Sequence, residues 1–139
     1  MENDGRARLL RILDILRERT DEVHPISTAE LETVLREEYA LDAYRITIQK
    51  DIAALVAAGY EIETIRSTQN KYYMASRPFE LPELKLLIDA VESSKFITEK
   101  KSRVLVEKLT GMTSAHQAAA LKRNISITDR IKPRNEQIY

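Results

Sequence analysis

A chain of 139 residues without cysteine has no disulfide framework, no thiolate zinc site and no thiol nucleophile. Its 22 lysines and arginines balance 22 aspartates and glutamates, so overall charge points to no particular class of partner. No apolar run reaches the roughly 20 residues that cross a bilayer, and the opening MENDGRARLL lacks the hydrophobic core of a secretory signal, so a soluble cytoplasmic protein is expected.

The spacing of Leu9, Leu10, Ile12, Leu13 and Leu16 predicts a first helix over 6–19, stopped before Pro25. In STAELETVLREEY, 27–39, Ser27 is followed three residues later by Glu30, a capping-box pattern, and Leu31, Val34 and Leu35 form the inner stripe of a second helix. After the break ALDA a third helix is expected, with Asp42 as its cap. Tyr44, Ile48, Ile52, Leu55 and Gly59 lie on its inner side, and Gly59 ends it in a left-handed conformation. The last two helices are joined by a tight turn, which is the layout of a helix-turn-helix. YEIETIRS and KYYMA then read as two strands flanking the turn-rich STQN, a hairpin wing. Residues 1–76 are therefore expected to form a winged helix-turn-helix.

Residues 77–124 read as a helical connector that also dimerises. Pro82 opens a helix with the stripe Leu84, Leu87, Ile88 and Val91. Thr98 caps the next, over 99–109, with Leu105 and Leu109 inward and Val104 and Val106 flanking. The Ala-rich SAHQAAALKRN is a further short helix. The tail 125–139 begins with alternation and becomes polar, as a linker or a first strand leading toward another domain would. The expected fold is mainly α, a winged helix-turn-helix with a two-stranded β wing followed by a helical connector.

Charge is unevenly spread. Residues 1–75 hold 10 basic and 14 acidic side chains, and 76–139 hold 12 and 8, giving −4 and +4. A basic first half would have argued for nucleic acid by itself. In its absence, nucleic-acid binding is indicated by the outer side of the third helix, which carries Ile46, Gln49, Lys50, Ala53 and Ala54 and no carboxylate. Gln can pair bidentately with adenine, Lys can reach guanine acceptors, and an exposed aliphatic can sit on a thymine methyl. The two alanines keep the next turn slim enough for a groove. Arg45 and Thr47 flank this side at the height of phosphate oxygens, and the wing from Arg66 to Lys71 would track the adjacent backbone. The same residues also suit a solvated helix side, since singly exposed apolar residues are ordinary. Asp51, on the flank of the inner stripe, is expected to pair with a neighbouring helix.

On AYRITIQKDIAALVAAGYEI and KYYMASRPFELPELKLLIDAVESSKFITEKKS the chain resembles bacterial transcriptional regulators in which a winged helix-turn-helix is followed by a WYL domain. The recognition helix of that family commonly reads close to Arg-x-Thr-Ile/Val-x-Arg/Lys-Asp-Ile-x-x-Leu. Arg45, Thr47, Ile48, Lys50, Asp51, Ile52 and Leu55 match it, and Gly59–Tyr60 closes it. The resemblance covers almost the whole chain and implies double-stranded DNA as partner and a homodimer. Two departures stand out. Many relatives place Arg where Ile46 stands here, so base preference does not carry over at that position. The WYL module would begin just after residue 139 and no Trp is present, so the chain is expected to be either a piece of a longer regulator or a short one without effector sensing.

The apolar residues Leu87, Val91, Phe96 and Leu105 are the expected dimerisation surface, since a two-fold dimer matches palindromic half-sites. His24 and His116 lack metal-ligand spacing, and the acid pairs Asp21–Glu22 and Glu37–Glu38 sit at helix ends, where solvation explains them. With only three glycines there is no phosphate loop, and no nucleophile–base pair emerges. No enzymatic activity, cofactor, metal or small-molecule site is expected. The rival readings are a winged-helix module that binds protein, which the acidic first half favours, and a fragment that heterodimerises with a full-length relative.

Overall fold

The computed structural model describes residues 2–123; the tail 125–139, expected to be linker or strand, lies outside them. The described residues are mainly helical with a small antiparallel sheet of three strands. They divide into two compact units, with the boundary between Ser76 and Arg77.

The first unit runs α1 (Glu2–Arg19), β1 (Ile26–Ser27), α2 (Thr28–Tyr39), α3 (Arg45–Ala57), β2 (Ile62–Ile65) and β3 (Lys71–Met74). Its core joins Ile12, Ile15 and Leu16 of α1 to Leu31 and Leu35 of α2, Ile48, Ile52 and Leu55 of α3, and Tyr72 and Met74 of β3. Each fully buried Leu or Ile stabilises the fold by roughly 1.5–3 kcal/mol. Beyond α1 the chain turns on two buried polar residues. The Thr20 hydroxyl donates to the Leu16 carbonyl at 2.6 Å and accepts from the Met74 N–H at 2.9 Å, which fastens the end of α1 to β3. Asp21, expected to be a solvated acid, is only 3% exposed. Its carboxylate accepts the backbone N–H groups of Val23 and His24, both at 3.0 Å, and lies 2.9 Å from His24 Nδ1. It is buried because it builds the turn that Pro25 then leaves.

The capping box of α2 is formed as the pattern indicates. The Ser27 hydroxyl accepts from Glu30 N–H and the Glu30 carboxylate accepts from Ser27 N–H, both at 3.1 Å. At the other end α2 closes on Ala40, whose φ of 54° is left-handed. A β-carbon there costs on the order of 1 kcal/mol. Ala40→Gly is therefore expected to raise stability by about 0.5–1 kcal/mol, read as a higher denaturant midpoint with an unchanged slope. Near the same end, Arg19 and Glu38 form a two-pronged pair at 2.5 and 2.7 Å. The hydrogen bond from Arg19 holds the Glu38 carboxyl below its ordinary range, but the pair is open to water and contributes little.

Residue 42 is not the cap of α3. Leu41 and Ala43 pack on the core, so the chain stays extended until Tyr44, which is the N-cap and whose carbonyl accepts the Ile48 N–H at 2.9 Å. This also removes Tyr44 from the expected inner stripe: its side chain is 77% exposed. The tie expected of Asp51 is present. Arg8 Nε and Nη2 of α1 lie 2.5 and 3.3 Å from its two carboxylate oxygens. Gly59, with φ of 109°, turns the chain out of α3 toward β2.

The sheet has the order β1–β3–β2, with Ile62 opposite Met74 and Thr64 opposite Tyr72 on one side, and Ile26 opposite Tyr72 on the other. Two strands were expected. The third, β1, is two residues long, too short to show the period-two alternation by which a strand is recognised.

The second unit contains α4 (Leu81–Ser93), α5 (Glu99–Thr110) and α6 (Ala115–Arg123). Pro82 stands in the first turn of α4, and the Glu83 carboxylate accepts the Glu80 N–H at 2.8 Å. The Thr98 hydroxyl caps α5 by accepting the Lys101 N–H at 3.2 Å. The core is Leu84, Ile88, Val106 and Leu121, with Phe79, Leu81, Val91 and Leu109 around it. The inner side of α5 is thus Ser102, Val106 and Thr110, all buried, and Leu105 and Leu109 are its flank. This corrects the expected places of Val106, which is buried, and Leu105, which is half-buried, while Leu109 packs on the core as expected. Small hydroxyl side chains allow close approach of a neighbouring helix, and a hydropathy stripe counts them as polar.

Candidate nucleic-acid interface

Ile48, Ile52 and Leu55 fix which side of α3 faces the core, and this decides what faces out. Arg45, Ile46, Lys50, Ala53 and Ala54 are exposed, while Thr47 and Gln49 are half-buried. Ile46 is 65% exposed. The carboxylate of Asp51 is turned away and held by Arg8, so the outward side of α3 carries no negative charge.

A cleft of about 250 Å³ opens at the amino end of α3. It is lined by Arg45 and Gln49 of α3, Thr28, Ala29 and Glu32 of α2, and Ser67–Asn70 from the hairpin between β2 and β3. The pairing of β1 with β3 makes this convergence, because it seats the start of α2 beside the hairpin: the Thr28 N–H donates to the Asn70 carbonyl at 3.3 Å. The tip itself is folded by Ser67, whose hydroxyl donates to the Gln69 carbonyl at 2.7 Å. Comparisons with models of known protein families, with curated proteins and with solved structures found no match.

Of the predicted site residues, Arg45, Gln49 and the hairpin tip come together in one cleft, and Ile46 and Lys50 are exposed on the same helix. Arg66 is exposed directly after β2 and does not line the cleft. Lys71 is exposed as well but lies inside the sheet, opposite Ile65 and Ser27, rather than at the tip. In the second unit Phe96 and Leu87 are exposed, whereas Leu105 is half-buried and Val91 packs on the local core. Sequence reasoning missed Thr28, Ala29 and Glu32. The capping box does mark residue 28 as a helix start, but its closeness to residue 70 depends on a two-residue strand.

No helix among the described residues is long and apolar enough to cross a membrane, and they contain no cluster of three or more His, Asp or Glu side chains able to hold a metal ion. The cleft offers amide, hydroxyl and guanidinium groups, with the Glu32 carboxylate among them. Such groups recognise phosphates and base edges.

Proposed function

We propose that the chain is a sequence-specific DNA-binding transcriptional regulator whose first unit is a winged helix-turn-helix, with α3 in the major groove. The observation that carries this reading is the outward side of α3: a mostly exposed isoleucine beside Gln49, Lys50 and two alanines, with the helix's own carboxylate, Asp51, held by Arg8. The order α1–β1–α2–α3–β2–β3, with β1 adding to the hairpin, supports the winged form. In this reading Arg45 and Thr47 anchor phosphates, and Ile46, Gln49 and Lys50 meet base edges. Arg66 and the hairpin tip follow the neighbouring backbone. The resemblance to regulators with a WYL domain points the same way. Exposed Leu86, Leu87 and Phe96 in the second unit suit a homodimer reading a two-fold site.

Glu32 favours a second reading. A carboxylate lining the cleft of an already acidic unit suits a winged-helix module that binds a protein. The two are separated by mixing the chain with sheared DNA from its own genome at two salt concentrations and sequencing the bound fragments. A shared two-fold motif, with affinity falling steeply as salt rises, is the result expected of the regulator, because phosphate contacts release counterions. Weak binding that is indifferent to salt and enriches no motif transfers the assignment to the protein-binding module.

A further inference from the structure

Reading DNA with an acidic head raises a problem of charge. Duplex DNA presents one negative charge per ~1.7 Å of axis, and site-specific proteins commonly engage roughly six to ten phosphates. In the first unit Arg8, Arg11 and Arg19 are committed to Asp51, Asp14 and Glu38. Around α3 and the hairpin the cations are Arg45, Lys50, Arg66 and Lys71. Those four cations stand beside Glu32 in a unit whose acidic side chains outnumber its basic ones by 14 to 10 over residues 1–75.

The missing charge lies in the second unit. Helices α5 and α6 carry six lysines and arginines against two carboxylates, Glu99 and Glu107. Because Ser102, Val106 and Thr110 turn inward, the opposite side of α5 presents Lys100, Arg103, Val104, Glu107 and Lys108 to solvent. Its carboxylate is already answered: the Lys122 ammonium of α6 stands 3.1 Å from Glu107. Lys100 to Lys108 spans about 12 Å of helix at 1.5 Å per residue. Val104 is the large apolar side chain exposed on this side, which is too little apolar surface for a helix lying in a membrane.

We propose that the outward side of α5 is a second phosphate-binding surface, which holds duplex DNA by its phosphates alone and supplies the attraction the acidic first unit lacks. This rests on the regulator reading above. It assigns affinity and specificity to different units of one chain: α3 selects, and α5 holds any sequence equally.

The test is the double variant Arg103→Gln/Lys108→Gln of the full chain, titrated by fluorescence anisotropy against the enriched duplex and a random duplex over a range of salt. Both side chains are exposed, so the melting temperature is expected to match the parent. Affinity should fall about tenfold for both duplexes at low salt, and the salt slope should become shallower by about two, one for each phosphate no longer neutralised. The ratio between the two duplexes should stay at the parental value. Parental affinity and slope in the variant overturn the proposal and leave the regulator reading standing. A weakening confined to the enriched duplex also overturns it, since α5 would then read bases. Parent binding to phosphatidylserine vesicles that the variant abolishes, with DNA binding intact, overturns it in favour of a membrane surface. A parent chain that binds no duplex overturns both this proposal and the reading beneath it.

Discussion

Lys50→Glu is expected to abolish site-specific duplex binding while leaving the fold as it was. Lys50 is exposed on α3 and makes no ion pair among those of the described residues, so its replacement removes nothing from the core. Surface changes of this kind usually stay within about 0.5 kcal/mol. At the proposed interface the same change is severe. A favourable interaction with a base edge, worth about 1–3 kcal/mol, disappears. A negative charge also meets phosphates and acceptor edges in a partly desolvated groove, where each close like-charge pair costs on the order of 3 kcal/mol. Affinity for the enriched duplex should therefore fall by at least two decades, on the order of 3 kcal/mol or more. Anisotropy titration measures the drop, and far-UV circular dichroism with a thermal melt shows helicity retained. A variant that binds as well as the parent removes α3 from the groove and the regulator reading with it.

Ile48→Ala should have the opposite profile. Ile48 is fully buried between the helices of the first unit, and its truncation leaves a cavity costing roughly 2–5 kcal/mol. A domain of this size is stabilised by about 5–15 kcal/mol in all, so the variant sits near or below the threshold of folding. Urea unfolding of the first unit should shift to a markedly lower midpoint, and duplex binding should fade with it. Ile46→Ala, the same change two residues earlier, is the control. With its side chain mostly in water it should leave the midpoint within about 0.5 kcal/mol and weaken only the enriched duplex. Equal destabilisation by the two variants would mean that Ile46 is covered in solution and offers no reading surface.

The contrast between these two isoleucines shows what was legible in the sequence. Periodicity assigns 48 inward and 46 outward without any tertiary knowledge, because Ile52 and Leu55 repeat the signal on one side. The capping box at Ser27 and Glu30 and the stop at Gly59 are equally local, and both were readable. Where a position is decided by a distant partner, local pattern misleads. Asp21 looks like a solvated acid until the turn it ties is known, and Tyr44 looks like part of a stripe until Leu41 and Ala43 take the core places before it. On α5, Ser102 and Thr110 hide the inner side, so the apparent stripe moved onto Leu105 and Leu109. The cleft was least legible of all. It needs β1 beside β3, and two residues carry no pattern.

The separation of the two sides of α3 bears on how such a protein changes over generations. Ile48, Ile52, Leu55 and the Asp51–Arg8 pair hold the helix in place, and positions 46, 50 and 53 take no share in that work. In the proposed regulator a gene duplicate can therefore alter those outward codons one at a time and acquire a different target without passing through an unfolded ancestor. For the same reason a library randomised at 46, 50 and 53 should return mostly folded members, so that the search for a new binding specificity is limited by the number of variants screened rather than by how many survive expression.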